Sequence, residues 1–460
     1  MSLFCLIEEI SYMMKEEETG MKKILSLLLT GAMVLSLTAC GSNAAAPAAT
    51  EEAATEETAT EEAAPTEEAA VEEAAPAAAP SDFKVGVILV GDENEGYTYS
   101  HIEGIKEAMK TLGLTDDQVI WKYSIAEDAT CYDSAMDLVD SGCTVIFSNS
   151  YGHQTYMQQA AAEVPDATFV SMTGDTAAIS GLPNFCNAFT NVYESRYVSG
   201  VVAGMKIAEL DALGEIPATG YDKDGNVKVG YVGAYPYAEV VSGYTAFFLG
   251  IQSVFEKVSM EVSYTNSWFD ITAEGEAAKA LMSGGSVIIG QHADSTGAPA
   301  AVQAALDAGE VHYSVGYNVD MLSVAPDAAL TSATNKWAVY YTYAIGAAMN
   351  GEKIDQNWAK GYTDDAVAIT ALGASCAEGT AEKVAEAEEA IKSGSLHVFD
   401  ASKFTVEGKN LTEYVVDLTG NFETTDDGDK NAIMDGYFHE SEFRSAPSFD
   451  IRIDGIKELN

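Results

Sequence analysis

The sequence predicts an α/β protein made of two similar halves, and three observations carry that expectation. Short apolar runs alternate with segments of helical spacing from residue 84 to about residue 317. The runs are rich in Val and Ile and nearly continuous, as strands of parallel sheets covered on both faces are. Finally, Lys84-Val85-Gly86-Val87 is echoed 144 residues later by Lys228-Val229-Gly230-Tyr231, each followed by a Gly- and Tyr-containing loop and then a helical stretch.

In order, residues 84–90 read as a strand, and residues 99–112 as an amphipathic helix carrying Ile102, Ile105, Ala108, Met109 and Leu112 on one face. Further strands are expected at 144–148, 167–171, 227–232, 262–265, 286–290 and 311–317. Helices are expected at 131–139, 154–162, 193–210, 239–255, 274–283 and 298–308. Residues 214–226, with Pro217, Gly220 and Gly225, read as a loop between the lobes. These runs divide residues 82–400 into a first lobe of about 82–213 plus 325–350 and a second of about 226–324 plus 351–400. Residues 401–460 form a C-terminal extension.

The first eighty residues have a different character. Met21-Lys22-Lys23 followed by an apolar stretch to Ala39 has the parts of a secretory signal at 21–39, and it is short for a membrane-spanning helix. Residues 1–20 have no role in such a mature chain and suggest an upstream start-codon assignment. The ending Leu37-Thr38-Ala39-Cys40 resembles the bacterial lipobox, and that resemblance implies lipidation of Cys40. Residues 40–81 then hold five Glu-Glu pairs among Ala, Pro and Thr, with no Lys, Arg or aromatic residue. Such a stretch cannot bury enough apolar surface to order itself and reads as an extended tether.

Charge excludes some partners. The chain has 71 acidic and 24 basic residues, a net charge of −47, and residues 82–460 alone hold 56 acids and 21 bases. A surface of this sign repels phosphate backbones, so no nucleic-acid partner is expected. Cys131, Cys143, Cys186 and Cys376 form no Cys-x-x-Cys pair and read as structural, with their disulfide state open. Asp426-Asp427-Gly428-Asp429 lacks the spacing of a calcium loop and reads as a solvated turn. No cofactor or metal is called for.

In open α/β sheets ligands sit outside the carboxyl ends of the strands, so the loops there are the candidates for binding. They are aromatic and polar: residues 91–101 with Tyr97 and Tyr99, 148–153 with Asn149, 233–237, 266–270 with Trp268 and Phe269, 291–295 with Asp294, and 316–320 with Asp320. Flat rings with amides and carboxylates suit a planar heteroaromatic ligand, stacked on its faces and hydrogen-bonded at its rim. Asp294 and Asp320 could equally cap the helices that follow. Enzyme signatures are lacking: the chain has no His-Glu-x-x-His, no phosphate loop and no Gly-x-Ser-x-Gly elbow. A nucleosidase-like enzyme using His292 with Asp294, and a ligand-presenting sensor for a membrane receptor, stand as the alternatives to a binding protein.

Residues 85–398 resemble the basic-membrane-protein family of substrate-binding lipoproteins, the purine- and nucleoside-binding components of ABC importers. The segments that carry the resemblance are Glu95-Gly96-Tyr97-Thr98-Tyr99-Ser100-His101, residues 189–204 and 229–253, Asn266-Ser267-Trp268-Phe269-Asp270, Gln291-His292-Ala293-Asp294-Ser295, residues 316–321, and Asn335-Lys336-Trp337 with Tyr340-Tyr341. The resemblance is nearest to the branch that binds nucleobases. It implies a two-lobed type I periplasmic-binding fold with a purine base or nucleoside between the lobes, and an ABC permease as partner. It also implies an extracytoplasmic location, held at the membrane through the lipid on Cys40. Carried over, Tyr97, Tyr99 and Trp268 form an aromatic sandwich, Asn149, Asp294 and Asp320 make edge and ribose contacts, and Phe269 and Trp337 complete the site. Tyr97 stands where relatives often have Trp, and Asn318 where an Asp is common.

Overall fold

The computed structural model describes residues 79–419, 424–425 and 428–460. The expected signal at 21–39, Cys40, nearly all of the tether, Asp426 and Asp427 lie outside the described residues.

The first lobe begins with β1 (Val85–Ile88), α1 (Gly96–Leu112), β2 (Val119–Lys122), α2 (Ala129–Asp140), β3 (Val145–Ser148), α3 (Gln154–Glu163), β4 (Thr168–Met172), the short α4 (Ala177–Ser180) and β5 (Phe185–Thr190). The chain then enters the second lobe with α5 (Val192–Leu213), β6 (Val227–Gly233), α6 (Ala238–Gln252), β7 (Val258–Tyr264), α7 (Ile271–Ser283), β8 (Ile288–Gln291), α8 (Gly297–Asp307), β9 (Tyr313–Tyr317) and β10 (Ala329–Asn335). It returns to the first lobe for α9 (Trp337–Met349) and β11 (Asn357–Lys360). It crosses again into β12 (Val367–Ile369) and α10 (Thr380–Lys392). Two small ribbons, β13 (Val415–Val416) with β14 (Lys430–Asn431) and β15 (Ile433–Met434) with β16 (Tyr437–Phe438), precede β17 (Ile456–Glu458).

The first sheet has the order β11, β5, β4, β3, β1, β2 and is parallel throughout. The second has the order β12, β10, β9, β8, β6, β7, β17, parallel except for the antiparallel β12. Central strands such as Val85–Ile88 and Val145–Ser148 are buried at every position, because helices cover both faces. Helix boundaries follow local chemistry. Asp128 starts α2 by accepting from the Thr130 amide at 2.9 Å, and Gly113 ends α1 in the left-handed conformation, φ 68°.

Between Val85 and Lys392 the chain crosses between lobes three times, at Asn191, at Lys336 and at 361–366, and hydrogen bonds stitch the crossings together. The Asn191 amide donates to the Lys360 carbonyl at 2.7 Å, and the Lys336 amide to the Ala366 carbonyl at 2.9 Å. Thr190 donates its hydroxyl to the Asn335 side chain, and Glu194 accepts from the Tyr362 amide at 2.7 Å.

These crossings correct the expected lobe boundaries. Residues 192–213 pack in the second core, β10 lies in the second sheet and β11 extends the first sheet, each against expectation, whereas α9 packs in the first core as expected. The 214–226 loop joins α5 to β6 within the second lobe, so it does not connect the lobes. Periodicity identifies an element but not the sheet that receives it. Polar strands were also missed. Ala329–Asn335 is threaded with Thr and Ser, and its buried Thr331 finds the Thr370 carbonyl at 2.9 Å.

The described residues beyond 400 pack mainly in the second lobe. Phe404, Phe438, Phe449, Ile451 and Ile453 join its core, and the rings of Phe399 and Phe449 stack at 4.2 Å. All four described cysteines are free. Burial pushes the Cys131 and Cys186 thiols up to about 12, which makes them inert.

Candidate functional site

A pocket opens where the carboxyl ends of the two sheets face each other. Its wall from the first lobe is Val90, Glu95, Tyr97, Asn149, Ser150, Tyr151 and Thr173, and from the second Glu239, Trp268, His292, Asp294 and Tyr317. Its empty space is about 460 Å³ including the open mouth.

The first-lobe wall is fixed by short-range bonds. Asn149 follows β3 directly. Its side-chain oxygen accepts from the Val90 amide at 2.8 Å, and its amide group donates to the Thr98 hydroxyl at 3.1 Å. Tyr97 donates its hydroxyl to the Asn149 carbonyl and meets His101 edge-on at 4.6 Å. Thr173, just past β4, has φ 62°, which a β-branched residue rarely adopts, and such strain concentrates at functional positions.

The second-lobe wall is an aromatic cluster with carboxylates behind it. Trp268 lies edge-on to Tyr235 at 5.1 Å, and Tyr235 stacks on Tyr237 at 5.2 Å. The Asp294 amide donates to the Trp268 carbonyl at 2.8 Å, so acid and indole are held in fixed relation. One Asp294 oxygen accepts from Asn318 at 2.7 Å, and Asn318, at φ 63°, is held in turn by Asn335 at 3.2 Å. Burial holds the Asp294 carboxyl well above the usual range, and nearby Glu95, Glu274 and Glu239 push it the same way. Glu239, on the first turn of α6, is pushed by burial up to about 7 and lies 3.2 Å from His292. Burial and the nearby Arg196 lower the His292 pKa well below its usual value. Arg196 itself is buried, lies over the Tyr317 ring at 3.6 Å and donates to the Gln291 carbonyl at 2.5 Å.

Of the residues expected at the site, Tyr97, Asn149, Trp268 and Asp294 come together in this pocket. Tyr99, 41% exposed, and Phe269 line an adjoining outer groove with Ile271 and Val319, and Asp294 is shared between the two spaces. Tyr99 therefore does not complete a sandwich with Tyr97 and Trp268. Asp320 is exposed and accepts from the Leu322 amide at 2.8 Å, which is a turn-capping role. Trp337 is 1% exposed and stacks on buried His101 at 4.3 Å, deep in the first core. Residues 97–101 spend their last ring on that stack. Glu95, Tyr151, Thr173, Glu239 and Tyr317 were not singled out from the sequence. For Glu239 a signal existed: it is the one charged residue of the helix Ala238–Gln252.

Two parallel sheets joined by three crossings, with a pocket between their carboxyl ends, define a type I periplasmic-binding protein. The family described as ABC transporter substrate-binding protein, PnrA-like (Bmp), matches residues 83–400, and the chain belongs to it. A purine-binding protein of Brucella abortus is 34% identical over 325 residues, covering 70% of this chain and 85% of that one. An ABC transporter protein of Haloferax volcanii named for glucose binding is 31% identical over 264 residues, 57% of this chain and 61% of that one. A solved ABC transporter solute-binding protein of Aeropyrum pernix has the same fold, with a TM-score of 0.56 at 15% identity, covering 71% of this chain and 94% of that one.

Proposed function

We propose that this substrate-binding protein captures a purine base or nucleoside in the interlobe pocket and hands it to an ABC permease. The observation that carries the proposal is the meeting of Tyr97 from one lobe with Trp268 from the other, beside the buried acceptors Asp294 and Asn149. A ring stacked there gains about 1–3 kcal/mol per stacking partner, and its N–H groups satisfy carboxylates that would otherwise stay buried and underbonded. The name of the Brucella relative supports the ligand class.

Glu95, Glu239 and Asp294 line the wall and no Lys or Arg among the described residues does, so a phosphate finds no cation to replace its water, and nucleotides are disfavoured. Closure about the three crossings brings the walls onto the ligand, and the closed form is what the permease recognises. The protein acts outside the cytoplasm, tethered through lipidated Cys40. No helix among the described residues is long and apolar enough to cross a membrane. It binds without turnover.

A thermal-shift series with adenine, hypoxanthine, adenosine, AMP and glucose tests the proposal. A micromolar ligand at millimolar dose adds about 4 kcal/mol to stability. The expected result is stabilisation by a base or nucleoside and none by AMP. Stabilisation by glucose alone would move the assignment to sugars, and release of free base from adenosine would make the protein a nucleosidase.

A further inference from the structure

We infer that the segment from Phe443 to Ser448 is a strap tying the two lobes together beside the pocket, with Arg444 as the positioning residue for the Tyr151 wall. The segment lies beyond residue 400, outside the span that the family matches.

On the second lobe the strap is anchored by Glu440, whose buried carboxylate accepts from Ser242 of α6 at 3.1 Å, from the Phe449 amide at 2.9 Å and from the Ser448 hydroxyl at 3.2 Å. Phe449 continues into that lobe's core. Between these anchors the chain reaches the other lobe. Ala446 packs in the first core, and fully buried Ser445 donates to the Gly174 carbonyl at 3.4 Å. Arg444 places a guanidinium nitrogen 3.5 Å from Asp175 and is oriented by a second donation to the Pro447 carbonyl at 3.2 Å.

Asp175 connects the strap to the pocket. It accepts from the Tyr151 hydroxyl at 3.4 Å and from Gln154 at 3.1 Å. Tyr151 is part of the first-lobe wall, and its ring lies 6.0 Å from Tyr237 of the second. The Arg444 and Asp175 side chains are only 18% and 19% exposed, so solvent and salt screen the pair less than a surface ion pair. The three backbone crossings allow the lobes to swing apart, whereas the contacts of the strap with the first lobe are noncovalent and must part first. The strap therefore biases the molecule toward closure and slows ligand release, a consequence that rests on the interlobe pocket being the ligand site.

The test compares the full chain with Arg444→Ala, Arg444→Lys and Asp175→Asn by amide hydrogen exchange without ligand and by adenine dissociation rate. In Arg444→Ala, exchange is expected to accelerate on both pocket walls, at residues 149–154 and 234–240, with Arg444→Lys intermediate. Adenine release is expected to quicken by about tenfold, the effect of losing roughly 1.4 kcal/mol. Acceleration confined to 443–448 and 174–176 in both Arg444→Ala and Asp175→Asn, or none at all, overturns the strap. Should the full chain bind none of adenine, hypoxanthine and adenosine, the purine assignment fails while the exchange data still decide the strap. If Arg444→Ala does not fold, Asp175→Asn carries the same comparison.

Discussion

Gly200 of α5 and Gly250 of α6 lie so close that a β-carbon on either would fall 3.0 Å from the other's Cα. Each would also come within about 2 Å of a backbone carbonyl, Phe247 for Gly200 at 2.1 Å and Tyr197 for Gly250 at 2.0 Å. Backbone cannot yield as a side chain can, so Gly200→Ala must push the helices apart. Overpacking of this kind costs about 1–3 kcal/mol. The urea midpoint is expected to fall accordingly, and an unchanged midpoint would mean that the two helices separate freely.

Trp268→Ala should reduce purine affinity by ten- to a hundredfold, in line with about 1–3 kcal/mol for a lost stacking partner. Trp268 is only half-buried at the pocket wall, so the unliganded protein should keep most of its thermal stability. Isothermal titration with adenine, paired with an unfolding scan, separates the two effects. A collapsed fold would assign Trp268 to the core.

Trp337→Ala should behave in the opposite way. Its indole fills the first core against His101, and emptying such a site costs about 3–5 kcal/mol. Chemical denaturation should show that loss. Asp320→Ala should leave affinity for every purine unchanged, because its carboxylate serves only the Leu322 amide among the described residues.

The stability that three buried glutamates give the unliganded protein should decline as pH rises from about 5 to 8. Glu194, Glu239 and Glu274 are each raised by burial to about 7, from an ordinary value near 4.5. Between those limits the native protein holds protons that the unfolded chain has released, so the contribution of these three groups is greatest below about 4.5 and drains away through 7, while buried His101, His153 and His292, held below their usual pKa, act in the opposite sense below about 6.5. Glu239→Gln removes one of these titrations and should flatten the dependence of the thermal midpoint on pH. A steeper slope in that variant would contradict the assignment.

Much of this was legible in the sequence because two simple rules applied. Runs of Val and Ile are buried strands, and the loops after them carry the ligand groups; these rules point to the loops, and the family resemblance singles out Tyr97, Asn149, Trp268 and Asp294 among their residues. Tyr99 fails for a geometric reason. Two residues along a helix turn the side chain by about 200°, so Tyr97 and Tyr99 leave α1 on opposite faces. Trp337 opens α9, which returns to the first lobe as expected, but its ring turns inward against His101 and away from the pocket, a direction that the sequence pattern does not encode. Glu239 stands in the first turn of α6, where an acid is also expected simply to complement the helix dipole. The left-handed backbone of Thr173 has no sequence signature at all, since Thr is not a residue that favours it.

The pairing of β17 with β7 has a kinetic side. Ile456 lies opposite Met260, and Asn460 donates to the Tyr264 carbonyl across 196 residues of chain. A sheet whose edge is supplied from so far along the polypeptide has high contact order, and domains of that kind fold slowly. Until the distant strand arrives, β7 presents an open row of backbone donors and acceptors. The second lobe should therefore be the late-maturing and aggregation-exposed half of the molecule, the one a chaperone would need to shield.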